Sequence, residues 1–106
     1  MGAYKIEAYI GNTLKVTCPI TGIASIDGFA ATMVVKATKD DDAEALIEVE
    51  GEIEGLSAEF IISSEENSLA AGKRYYEINL DKDAEHYTIR QDEYVLEKSM
   101  KYSPSN

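Results

Sequence analysis

A strict two-residue alternation constrains this chain more than any other feature. Residues 13–20 read Thr-Leu-Lys-Val-Thr-Cys-Pro-Ile. Leu14, Val16, Cys18 and Ile20 fall on one side, and Thr13, Lys15 and Thr17 on the other. Successive side chains of an extended strand point to opposite faces, so the segment predicts a half-buried strand. Cys18 then fills a core row as a small apolar residue. Pro19 points outward at a strand end or edge, where a missing N–H is tolerated.

The same period recurs along the chain. Residues 4–10 predict a first strand, with Gly11-Asn12 as its turn. Gly22 and Asp27-Gly28 bracket a loop. Residues 29–38 predict a strand with Ala31, Met33, Val35 and Ala37 inward, and residues 39–43 a polar turn. Residues 44–51 follow with Ala45, Ile47 and Val49 inward; Leu46 is the apolar exception in their outward row. Residues 51–55 extend that strand or turn, anchored by Ile53. Residues 56–63 place Ala58, Phe60 and Ile62 inward and Glu59 outward. Residues 73–80 and 86–96 complete the set, joined by a hairpin loop at 81–85. In the last segment Tyr87 and Ile89 are offset by one from Tyr94 and Leu96, so a bulge is expected near Gln91-Asp92-Glu93.

One helix-like signal interrupts this pattern. Residues 63–69 start with Ser63-Ser64-Glu65-Glu66, where a serine cap and early acidic residues favour a short helical turn. Gly72 is expected to end it. About seven strands, separated by polar turns every 8–12 residues, predict an all-β antiparallel sandwich or barrel. The domain spans residues 1–97, with 98–106 as a flexible tail.

Composition narrows the function. The 106 residues suffice for one domain. Twenty acidic residues against 10 basic ones give a formal charge of −10. Binding to nucleic acid or to an anionic membrane needs clustered Lys and Arg, so both are disfavoured. No apolar run reaches the ~18 residues of a membrane span, and residues 1–7 lack a signal-peptide core. Cys18 and His86 are the only cysteine and histidine. That is a poor inventory for a catalytic triad or a thiol metal site, so no enzyme activity, metal or cofactor is expected.

Three groups remain as candidates. Leu69-x-x-Gly72-x-x-Tyr75 has the spacing of a tyrosine corner, in which Leu69 plugs the core and the Tyr75 hydroxyl bonds to upstream backbone. Tyr76 shares parity with Ile78 and Leu80 and competes for the inward place. Glu48, Glu50, Glu52 and Glu54 form an acidic strip that suits edge protection or docking of a basic partner surface. A paired-carboxylate site for sugar hydrolysis would need a cleft that so small a sandwich lacks. The acidic turns at Asp40-Asp41-Asp42 with Glu44 and at Asp81, Asp83 and Glu85 read as solvated turns, lacking a calcium-loop pattern. Finally, tyrosines number seven against two phenylalanines and no tryptophan. Tyr4, Tyr9, Tyr87, Tyr94 and Tyr102 gather on the first and last segments, as contact residues or as partly buried rings at sheet ends.

Several short motifs carry a family resemblance over most of residues 4–96. They are Gly11-Asn12-Thr13-Leu14-Lys15-Val16, Met33-Val34-Val35-Lys36, Phe60-Ile61-Ile62-Ser63, Leu69-x-x-Gly72 with Tyr75-Tyr76-Glu77-Ile78, and Tyr87-Thr88-Ile89. Together they resemble the N-terminal immunoglobulin-like domain of phage baseplate upper proteins. Two positions depart: Asn12 stands where the family usually has Asp, and Asp92 where it tends to have Gly. The family's proteins continue into a coiled or receptor-binding region. The chain therefore corresponds to the domain alone, as a small stand-alone virion protein or as an excised domain. The resemblance implies an immunoglobulin-like sandwich and a non-enzymatic structural or adaptor role in a tail or baseplate. It implies a virion protein assembled in the host cytoplasm, contacting other phage structural proteins and further copies of itself. The alternative is a stand-alone binding module, such as a small inhibitor or a carbohydrate-binding domain.

Overall fold

The computed structural model describes residues 4–22 and 25–101. Seven strands form: β1 (Ile6–Tyr9), β2 (Leu14–Pro19), β3 (Ala30–Lys36), β4 (Ala45–Glu54), β5 (Ser57–Ile62), β6 (Gly72–Lys82) and β7 (Glu85–Glu97). They join in one sheet of order β1-β7-β6-β3-β4-β5-β2, nearly closed into a barrel-like shape. The sheet is mixed rather than wholly antiparallel, because β1 runs parallel to β7.

The alternation is what buries the core. Cys18, Ala31, Met33, Val35, Ala58, Phe60 and Ile62 are all buried on inward rows. Each large aliphatic or aromatic side chain so buried contributes roughly 1.5–3 kcal/mol. β4 is shared: its first part pairs with β3 as far as Gly51, and Glu52–Glu54 pair with β5. Gly51 marks the change of partner. A Cβ there would lie 2.5 Å from the Phe60 ring, so only glycine lets that ring pack against the strand.

Several expectations need correction. Ala37 and Ala45 are exposed, because β3 ends at Lys36 and the ladder slips between Val35 and Lys36. The slip makes Leu46 the extra residue of β4, which accounts for an apolar side chain in an outward row. The hairpin loop is only Asp83-Ala84, with Asp83 at φ 52°, as a tight two-residue connection demands. The bulge in β7 falls at Ile89, since Ile78 faces Arg90 while Asn79 faces Thr88. That shift restores Tyr87 to the side of Arg90, Asp92 and Tyr94, two positions earlier than expected.

No helix forms among the described residues. Ser63 and Glu66 do exchange capping bonds: the Glu66 N–H donates to Ser63 Oγ, and the Ser63 N–H to Glu66 Oε1. Yet residues 64–67 form only turns. A single turn cannot offset the cost of helix nucleation, and Asn67 is drawn into the core instead. Gly72 does not end a helix; it opens β6 with φ 145°, a conformation that favours glycine.

Candidate functional site

Two polar assemblies are built around the inward row of β7. The first is built on Asn67, which is completely buried. Its side-chain amide donates to the Asn12 carbonyl at 3.0 Å, and its Oδ1 accepts the Tyr94 hydroxyl at 2.5 Å. Its own carbonyl accepts the Gly11 N–H, and its N–H donates to Ser63. One residue thereby ties the β1–β2 turn and the β5–β6 connection to β7. Desolvation pushes the Tyr94 hydroxyl well above its ordinary pKa.

The second assembly holds Tyr4. The Tyr4 N–H donates to Asp92 Oδ2 at 3.0 Å, and the Tyr4 carbonyl accepts the Tyr76 hydroxyl at 2.6 Å. The Arg90 guanidinium lies 3.9 Å from the centre of the Tyr4 ring, within cation–π range. Asp92, nearly buried, spends its other oxygen on the Glu93 N–H. Burial raises the pKa of Tyr76, opposed by nearby Arg90.

The tyrosine-corner candidates fall around this frame. Leu69 is half-buried against the core. Tyr75 is half-buried on the outer face, opposite Lys36 and Glu93, with Lys39 and Lys73 ammonium groups 5.3 and 5.8 Å from its ring centre. Tyr76 is the inward ring, and its hydroxyl makes the long-range bond to backbone.

Glu48, Glu50, Glu52 and Glu54 are all exposed along β4. Glu48 and Glu50 stand beside β3, Glu52 and Glu54 beside β5, so the strip spans the change of partner. Glu52 faces Glu59, whose carboxylate pairs with Lys15 at 3.3 Å. None of the four strip carboxylates has an ion pair among the described residues.

The outer face of β6 and β7 carries a hydrogen-bonded ladder that the alternation alone could not reveal. Glu77 accepts bonds from Gln91 and Asn79, Asn79 Oδ1 accepts the Thr88 hydroxyl at 2.7 Å, and His86 Nδ1 lies 2.6 Å from Asp81 Oδ1. Asp81, His86 and Thr88 line up as an acid–imidazole–hydroxyl series. However, the Thr88 proton is committed to Asn79, and His86 Nε2 is 3.4 Å away. The series is a surface network rather than an activated nucleophile.

Of the five tyrosines expected at contacts or sheet ends, Tyr94 is a core residue, whereas Tyr4, Tyr9 and Tyr87 are exposed. Tyr102 lies outside the described residues. Asn67 and Asp92 are the buried polar residues that sequence reasoning did not single out as hubs. Their only signal was a polar residue amid a turn and a carboxylate alternating with Arg90 and Tyr94. No family model matches the chain, and no curated protein matches it in sequence.

Proposed function

We propose that this chain is a non-enzymatic structural or adaptor domain of a phage tail or baseplate, working through protein–protein contact. The reading includes an immunoglobulin-like sandwich as its fold. The strand partnership carries it. In such a sandwich the second, fifth and fourth strands share one sheet, and the third, sixth and seventh share the other. Here β2-β5-β4 and β3-β6-β7 are neighbours in the same way, and β4 passes between the two groups as strands do at sandwich corners. β1 departs from that plan by pairing with β7. The functional part is analogy from the sequence resemblance. It is supported by exposed tyrosines and by acidic faces suited to partner contact.

The role implies symmetric self-association and incorporation into particles assembled in the host cytoplasm. Mass spectrometry of purified particles after prophage induction tests it. Peptides of this chain at a stoichiometry above contaminants are the expected outcome. Their absence, with other tail proteins present, would overturn the virion role. The exposed Tyr4 and Tyr87 rings also suit a stand-alone binding module, which would be monomeric and absent from particles.

A further inference from the structure

β7 is 13 residues long and β1 only 4. β6 pairs with β7 from Glu85 to Leu96, but β1 covers only Tyr94–Glu97. Among the described residues, no strand lies beside the other edge of β7 over Glu85–Glu93. Unpaired backbone groups on such an edge are a ready template for another strand.

A solvent-open groove of about 390 Å³ lies at this edge, between β7 and the end of β2. Tyr4, Pro19, Ile20, Tyr87, Ile89 and Arg90 line it, and Arg90 is the one charged side chain in that lining. Tyr4 and Tyr87 are 55% and 39% exposed. Arg90 has no ion pair among the described residues. Tyrosine and arginine, with tryptophan, are enriched where partner contacts carry binding energy. A lone guanidinium in a groove of an otherwise acidic protein selects a carboxylate.

We propose that this seam docks an extended segment of a partner protein bearing an acidic side chain. The segment adds beside β7 where β1 stops, flanked by the Tyr4 and Tyr87 rings, and its carboxylate meets Arg90. The chain's net charge repels an acidic partner only at long range; near 0.15 M salt that field is screened within about 8 Å. The inference rests on the contact role proposed above and names its surface and its partner's chemistry.

The test is an NMR titration at physiological salt with two blocked hexapeptides. One alternates threonine and valine with a central aspartate; the other carries asparagine in its place. Amide shifts confined to Ile20–Gly22 and Tyr87–Gln91, and an affinity about tenfold weaker for the asparagine peptide, are expected. Tyr87→Ser, which leaves Arg90 in place but removes a ring 5.9 Å from Phe29, should weaken aspartate-peptide binding by a similar factor in a chain that stays folded by circular dichroism. Arg90→Gln should equalise the two peptides. No saturable shifts at millimolar peptide, shifts elsewhere, or equal affinity for the two peptides on the unsubstituted chain would overturn the groove. Particle incorporation is scored separately. A chain found in particles without peptide binding removes the groove alone, whereas peptide binding by a chain absent from particles removes the virion role alone.

Discussion

The inward row of β5 and the inward row of β7 do the same job with opposite chemistry. Ala58, Phe60 and Ile62 on β5 are fully buried and wholly apolar. On β7 the corresponding row is Arg90, Asp92, Tyr94 and Leu96, and three of these four side chains are polar or carry a hydroxyl. The β5 row stabilises by filling volume, which needs nothing beyond side-chain shape. The β7 row stabilises only because loops bring partners to it: Asn67 to Tyr94, and the Tyr4 backbone to Asp92. Burial is non-directional, whereas a buried hydrogen bond fails outright when its partner moves. Damage should therefore be graded in the first region and all-or-none in the second.

The sharpest break is Phe60→Ala. It removes a fully buried ring packed against Gly51, and a loss of roughly 3–5 kcal/mol is expected by chemical denaturation. Phe60→Leu should cost clearly less, since most of the volume stays. If the two variants lost the same, volume filling would not be what the β5 row contributes.

Asn67→Ala comes next. It strands the buried Tyr94 hydroxyl and removes the bond to the carbonyl of exposed Asn12 in the β1–β2 turn. About 1–3 kcal/mol should be lost, with faster hydrogen exchange at Gly11 and in the β5–β6 connection. Uniform exchange across the whole sheet would mean that Asn67 is no local tie.

The smallest effect is alkaline. Burial raises the Tyr94 pKa above its ordinary value of 10.0. The unfolded chain therefore loses this proton first, and fewer protons are bound in the unfolded state as pH climbs past 10. Stability is full below that point and falls as pH rises toward the folded value, by at most about 1.4 kcal/mol per pH unit for one group. Tyr94→Phe should be less stable at neutral pH yet show a shallower alkaline decline in Tm. Parallel declines would assign the effect to other groups.

The strands themselves were legible because alternation is local: each inward row in β2, β3 and β5 can be read from spacing alone. Reading failed where a residue's place depended on something distant. Ser63 and Glu66 satisfy a helix-start pattern, but the segment yields to the partners that Asn67 finds in Gly11, Asn12 and Tyr94. The β7 bulge was implied by the broken parity, yet its position at Ile89 depends on how β6 aligns alongside. The parity of Tyr76 with Ile78 and Leu80 did point to the inward ring. Nothing local marked its hydroxyl for the Tyr4 carbonyl, 72 residues away.

By itself the sequence determined an all-β domain, its apolar rows and the acidic character of its outward faces, because period and charge belong to the chain before it folds. Tertiary structure alone decided that β1 would run parallel to β7 and stop short, that β4 would change partners at Gly51, and that Tyr4, Tyr87 and Arg90 would meet at one seam. Those outcomes turn on long-range pairing, in which the closing of large loops and the filling of a shared core select one register among several that local pattern permits equally.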